Sequence, residues 1–252
     1  MYIYLRMCKN SIVSQHKKRP EGFDKTKILK NLFQSIALTE GSKTYVRILY
    51  DGPHQEADEL VMPHIPNFDH IEVSVECRIN GSETKSFLSM LDIIANINKH
   101  EDDDILYLLE DDYLHMYGLN TQLTNILNHP GVYYASLYDH PDKYTSLYPN
   151  LVSQIIIPES NGMPPTHWRT TPSTTNTFAC KYKTLVEDLE THRKYSPVTQ
   201  LASSDHEKFL DLWTQGRTLV TPMPSLSAHM EVGVIPRSIL MWEGMFRSRH
   251  LA

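Results

Sequence analysis

Three adjacent carboxylates, Glu110, Asp111 and Asp112, follow the apolar run "ILYLL" at 105–109. Acids in such a place do one of two things. They form a solvated turn, as the run "HEDDD" at 100–104 is expected to. Or they serve a divalent cation. Hard cations such as Mg2+ and Mn2+ prefer oxygen ligands and often take only one or two carboxylates plus substrate phosphates. In a tight turn after a strand, residues i and i+2 reach one pocket, so Glu110 and Asp112 form a D-x-D-like pair with one acid lengthened.

Other residues carry chemistry with an equally plain structural alternative. Asp51, in "LYDGP", suits a ribose hydroxyl or base N–H, or is a turn Asp before glycine. Ser82, Thr84 and Lys85 open a helix whose N-terminus can face a nucleotide, while ordinary capping explains Ser82 and Thr84. Arg6, at the end of the first strand, can meet a nucleobase or a phosphate. Trp168 and Arg169, in "HWRTTPSTTNTFAC", form either a sugar-binding wall or a polar loop entering a strand. Asp205, in "ASSDHEKF", is a first-turn acid favoured by the helix dipole, or a general base that such a position keeps ionised. His229, in "SLSAHMEVG", is one of 13 histidines. It is an ordinary histidine or a metal ligand through a neutral imidazole nitrogen.

These residues need a scaffold, and the first 112 positions supply a readable one. Residues 2–7 ("YIYLRM") read as a strand. Ile28, Leu29, Leu32, Phe33 and Ile36 fall at helical spacing, with Asp24 or Thr26 as cap. Residues 44–50 read as a second strand, closed by the turn signal Asp51-Gly52-Pro53. Pro63 and Pro66 mark an irregular connection. Residues 70–76 alternate and read as a third strand. A helix follows from Ser82 or Thr84, with Phe87, Leu88, Leu91, Ile94 and Ala95 on one face. The run 105–109 has no polar alternation, as a strand buried on both faces should. Strands alternating with helices imply a parallel sheet covered by helices. In such sheets ligands sit at the carboxyl ends of the strands, where Asp51 and the acid trio both fall. Residues 183–195 and 204–216 read as later helices and 217–224 as a late strand. The expectation is a single α/β domain over 1–252, Rossmann-like, with a mostly parallel central sheet flanked by helices. Its nucleotide-binding half is 1–115 and its acceptor-binding half 116–252.

In order and spacing, "YIYLRM", "YDGP", "LLEDDY", "SSDHEKFLDL" and "SLSAHMEVG" together resemble a GT-A-fold, nucleotide-sugar-dependent glycosyltransferase of the family-two-like kind. The DxD motif is written here as EDD. The resemblance covers most of the chain. It implies Mn2+ or Mg2+ held by Asp112, with His229 completing the metal site. It implies Glu110 and Asp111 in ribose or water-mediated contacts, and Asp205 as catalytic base, with Glu207 the second choice. A nucleoside-diphosphate sugar is the implied donor, a UDP-sugar the expected one, and a glycan or other hydroxyl the acceptor. Inversion is expected. Glu110 departs from the first Asp of the motif, and a QxxRW-type motif is absent, which argues against a polymer-extruding synthase.

Bulk properties narrow the alternatives. The chain has 252 residues, 40% hydrophobic and 21% charged, enough for a sizeable core. A net charge of −6 disfavours nucleic acid as the main partner. Three scattered cysteines, Cys8, Cys77 and Cys180, form no disulfide framework, and free thiols fit a cytoplasmic location. No apolar run approaches a transmembrane span. A nucleotidyltransferase usually carries a glycine-rich basic loop after the first strand, whereas "CKNSIVSQHKKRPEG" has one glycine at its far end. No P-loop or kinase signature occurs. A non-catalytic nucleotide- or sugar-binding module is the alternative from another class, and a hydrolase a further enzyme.

Overall fold

The structure is a computed structural model. It describes residues 1–37, 43–97, 99–148, 151–159, 166–236, 242 and 244. The β-α-β-β-α-β order of the front half is present: β1 (Tyr2–Met7), α1 (Lys25–Ala37), β2 (Thr44–Asp51), β3 (Ile71–Arg78), α3 (Glu83–Asp92) and β4 (Ile105–Glu110). Between β2 and β3 the irregular connection contains α2 (His54–Leu60). Asp24 caps α1 through Oδ1, which accepts from the Thr26 amide at 2.8 Å. Ser82 caps α3, its hydroxyl accepting from the Lys85 amide at 3.2 Å.

One nine-stranded sheet crosses both halves of the chain, in the order β3-β2-β1-β4-β9-β6-β10-β8-β7. The added strands are β6 (Tyr134–Ala135), β7 (Ile155–Ile156), β8 (His167–Thr171), β9 (Phe178–Lys181) and β10 (Leu219–Met223). β3, β2, β1 and β4 are mutually parallel. β9 runs against β4 and β6, and β8 against β10 and β7, so the remaining strands share one direction. The fold is a single α/β domain with a mostly parallel central sheet and flanking helices.

β4 lies inside this sheet, between β1 and β9. Its residues Ile105 to Leu109 are all buried. Tyr107 and Leu109 face one core with Leu29, Leu32, Phe33 and Ile36 of α1. Leu106 and Leu108 face the other with Phe87, Met90 and Leu91 of α3. A strand with both faces covered cannot alternate, which is why the run reads as continuous apolar sequence. α4 (Leu119–Leu127) packs Leu119, Leu123, Ile126 and Leu127 into the first core. The late helical segments resolve into α5 (Tyr182–Glu187), α6 (Leu189–Lys194) and α7 (Asp205–Thr214). Phe209 and Leu212 of α7 seal the second core. No helix among the described residues is long and apolar enough to cross a membrane.

Trp168 departs from the sugar-wall expectation. It lies on β8, fully buried in the first core, and offers no ring face to a ligand. Arg169 is likewise buried, its Nη2 2.6 Å from Asp139 Oδ1. Trp242 is buried against Ile28, Leu114, Ala228 and Met230.

Candidate functional site

The strand directions bring the loops after β1, β2, β4, β6 and β10 to one edge of the sheet. There a cavity of about 340 Å3 opens between the β1–α1 segment, the start of α3 and the end of β4. Arg6, Asp51, Ser82, Glu110, Asp111 and Asp112 all line it. Lys85 does not. It is exposed on the far side of the first turn of α3, as a residue three positions after the cap must be when Ser82 and Ser86 face inward.

Each acid of the trio has its own cation. Glu110 Oε1 accepts from Arg6 Nη2 at 3.1 Å. Asp111 Oδ2 accepts from Lys25 Nζ at 2.7 Å and from the Cys8 amide at 2.9 Å. Asp112 Oδ2 accepts from Arg19 Nη2 at 2.8 Å. Three like charges can therefore end a buried strand, because three cations converge on them. Burial pushes the Glu110 carboxyl up, against the pull of Arg6. For Asp112 burial also works upward, but the His229 ring, Lys17 and Arg19 outweigh it and hold the carboxyl well below the usual carboxylate range.

Asp112 and His229, 117 positions apart, are neighbours. The cause is a two-stranded antiparallel pair, β5 (Tyr113–His115) with β11 (Ser227–His229), in which Tyr113 faces His229. The Met230 amide donates to the Asp112 carbonyl at 2.8 Å. The His229 ring stacks on Tyr113 with centroids 4.8 Å apart, and its Nε2 lies 3.1 Å from Asp112 Oδ2. Asp112 Oδ1 is buried with no hydrogen-bond partner. An orphaned carboxylate oxygen beside an imidazole nitrogen fits a divalent cation that takes its remaining ligands from phosphate and water. Among the described residues, no group of three or more His, Cys, Asp or Glu is placed to hold a metal ion.

Arg6 is buried between two carboxylates, Glu110 and Glu83, the latter 2.8 Å from Nη1. Its guanidinium lies 5.2 Å from the Phe87 ring centroid. Asp51 Oδ1 accepts from the Asn80 amide at 2.7 Å and pins the β3–α3 loop.

Asp205 begins α7, as expected, and its carboxyl is pushed up, not held low. Burial is the cause, and it outweighs Lys208 and the His206 amide. Asp205 does not line the cavity. Lys208 acts electrostatically on both Asp205 and the lining residue Glu83, whose Oε2 accepts from the Ser203 amide at 2.8 Å and whose Oε1 accepts from Asn176 Nδ2 at 3.2 Å. Asn176 Oδ1 in turn accepts from the buried Lys208 amine. Glu207 is exposed and points away from this network.

Four residues of the site were not picked out by the sequence. Lys17 and Arg19 come from the polar stretch after β1, where no periodicity distinguishes a cavity-facing cation from a solvated one, and Lys25 opens α1 off its apolar face. Glu83 is the fourth. Burial would raise it, but Arg6, the Ser203 amide and Lys208 hold its carboxyl below the ordinary value. The one sequence signal for Glu83 is its place in the first turn of a capped helix, and that is common.

No protein-family model and no curated protein matches the chain. Solved structures of similar architecture include galactosyltransferase LgtC in complex with donor and acceptor sugar analogs, 9% identical, with TM-score 0.49 over 84% of this chain and 69% of that one. Mouse xyloside xylosyltransferase 1 in its apo form is 8% identical, with TM-score 0.46 over 86% and 83%. CMP:2-keto-3-deoxy-manno-octonic acid synthetase complexed with CTP is 12% identical, with TM-score 0.47 over 97% and 96%. The functional reading below rests on the residues of the site.

Proposed function

We propose that the chain is a GT-A-like, metal-dependent glycosyltransferase that moves a sugar from a nucleoside diphosphate, a UDP-sugar, to an acceptor hydroxyl with inversion. The observation that carries this reading is the 3.1 Å approach of His229 to Asp112, which itself lines a cavity bearing four cations and five acids. Asp112 and His229 would hold Mn2+ or Mg2+, with Glu110 and Asp111 beside them. When bound, the ion neutralises charge on the departing diphosphate as a Lewis acid. Lys17, Arg19 and Lys25 supply further positive charge at the same wall, in a site whose partial burial strengthens each contact. Asp51, Ser82 and Arg6 lie where the nucleoside end of the donor would rest, whereas Lys85 stays outside. Asp205 takes the acceptor proton. Its raised affinity for a proton brings it nearer the value a general base needs.

One observation favours a second reading. The cations after β1 occupy the place where a nucleotidyltransferase holds its triphosphate, although they are spaced without a glycine-rich loop. The two reactions release different products. With Mn2+ and a panel of UDP-sugars, the transferase reading expects UDP release that rises when a methyl-glycoside acceptor is added and disappears in Asp112→Ala. Pyrophosphate release from CTP or UTP with a sugar phosphate, and none of UDP from UDP-sugars, would replace the first reading by the second. Equal UDP release with and without acceptor would make the protein a hydrolase. Nucleotide binding with no turnover of any donor would make it a binding module.

A further inference from the structure

At the opposite end of β1 lies a second cavity, of about 190 Å3, on the sheet face and not among loops. Tyr2 is at its edge and Arg6, four residues on, is at the first cavity, so roughly 13 Å of strand runs between these two residues. The register makes its floor. Tyr2 pairs with Tyr45 and Tyr45 with Glu72, and Tyr4 pairs with Arg47 and Arg47 with Ser74. Side chains at such positions point to the same face. Helix α3 covers the carboxyl half of that face, where Phe87 and Met90 pack with Tyr4 and Leu49. The amino half carries Tyr45, Arg47, Glu72 and Ser74, all partly or fully exposed. Parallel strands with one face open to solvent are unusual, since such sheets are normally covered on both sides.

The walls are ordered. Tyr2 and Tyr45 stack with centroids 4.8 Å apart and planes 12° from parallel. His100 meets Tyr2 edge-on at 4.4 Å and shares a 2.7 Å hydrogen bond with the Tyr4 hydroxyl. The second ring nitrogen of His100, Nδ1, faces Asp104 Oδ2 at 3.7 Å. Lys99 closes the rim, and Glu72 is held by Lys43 at 2.8 Å.

We propose that this cavity is a second binding site, for a pyranose ring, separate from the cavity at the carboxyl edge. The lining selects among ligand classes. A phosphate needs an excess of cations, and here Arg47 is held by Glu76 and Lys43 by Glu72, with Lys99 on the rim. A docking helix needs an apolar stripe, and this floor alternates rings with charges. A sugar presents a C–H face that packs on an aromatic ring and hydroxyls that both donate and accept. Tyr45 offers the face opposite Tyr2 once the exposed Lys43 ammonium, 5.1 Å from its ring centroid, swings aside, and the guanidinium, ammonium, carboxylate and hydroxyl around it meet the sugar hydroxyls. A monosaccharide in so small a cavity binds with Kd on the order of 1 mM. The site holds a saccharide away from the reacting centre, and it stands whether or not the proposed transfer is correct.

The test is saturation-transfer NMR with methyl α-D-glucopyranoside, methyl β-D-galactopyranoside and methyl α-D-mannopyranoside. It uses the wild-type protein, Glu72→Ala, Tyr45→Ala and Asp112→Ala. Glu72 has a side chain 60% exposed, so its removal leaves the fold intact, which circular dichroism confirms. The expected result is saturable transfer to at least one pyranoside. It weakens at least fivefold in Glu72→Ala and Tyr45→Ala and is unchanged in Asp112→Ala. Absence of transfer to all three sugars overturns the proposal. So does transfer that survives in Glu72→Ala, or transfer lost in Asp112→Ala, which would place the sugar in the first cavity.

Discussion

At the scale of single residues, the acid trio works by division of labour. Glu110 and Asp111 are spent on Arg6 and Lys25, and through them on holding β1, α1 and α3 in place. Asp112 alone keeps a buried oxygen without a partner, and it alone touches the histidine. Asp205 is separable from binding. Asp205→Asn should lower transfer by a factor of about 10^2 to 10^4, the usual contribution of a general base, while UDP affinity changes less than twofold. Wild-type kcat/KM should fall with decreasing pH through a value above that of a free aspartate, because burial raises this carboxyl. A flat profile down to the ordinary carboxylate range would assign the base elsewhere, with Glu83 the next group to replace. Asp112, Asp205 and His229 were legible as candidates because each follows or opens a readable element. Lys17 and Arg19 were not, since a cation in an aperiodic stretch gives no sign of which way it points, nor was Lys25, a polar residue at the first position of α1.

At the scale of elements, what could be read tracks burial pattern. β4 announces itself through a continuous apolar run, β1 and β2 through β-branched, aromatic and other apolar residues broken only by one arginine each, and α1 and α3 through one apolar face each. α2 buries only Ala57, so it has no face to read. α4 did carry helical spacing at Leu119, Leu123, Ile126 and Leu127, and lay unread within a tyrosine- and proline-rich half. β5 and β11 have three residues each, too short for any period, yet their pairing joins Asp112 to His229. Helix α7 makes a testable case of its own. Lys208 is fully buried over the Phe87, Phe178 and Phe209 rings, and burial pushes its amine down from 10.5 to about 8. Between pH 8 and 10.5 the unfolded chain holds the proton that the folded one has released. Stability therefore rises with pH across that window, and the full span is worth roughly 3 kcal/mol. Urea unfolding of wild type and Lys208→Met at pH 7 and 9.5 should show wild type gaining about 2 kcal/mol on the variant at the higher pH. An unchanged difference would mean that the amine remains charged in place.

At the scale of the whole molecule, one sheet with seven of nine strands in a common direction gathers the site from loops scattered over most of the chain. The ends of β1, β2 and β4, far apart in sequence, meet at one edge of that sheet. The sequence motifs are weak singly, and a parallel sheet turns their order into adjacency. The reversed strands β8 and β9 were hidden in a threonine-rich stretch that looks like loop. A ligand seated between the β1–α1 segment, α3 and β4 ties together elements of both cores. At one hundred times its Kd it adds about 2.7 kcal/mol to stability. UDP with Mn2+ should thus raise Tm by roughly 5 to 10 °C, and a shift equal to that of Mn2+ alone would disconnect the nucleotide from the fold. The most direct measurement of the central claim is calorimetric titration of UDP, with GDP as control, into wild type and Asp112→Ala, each in Mn2+ and in EDTA. The account predicts tight UDP binding to wild type in Mn2+, weakened at least tenfold both by EDTA and by loss of the Asp112 carboxylate. No binding of either nucleotide in Mn2+, or binding indifferent to both metal and Asp112, would contradict it.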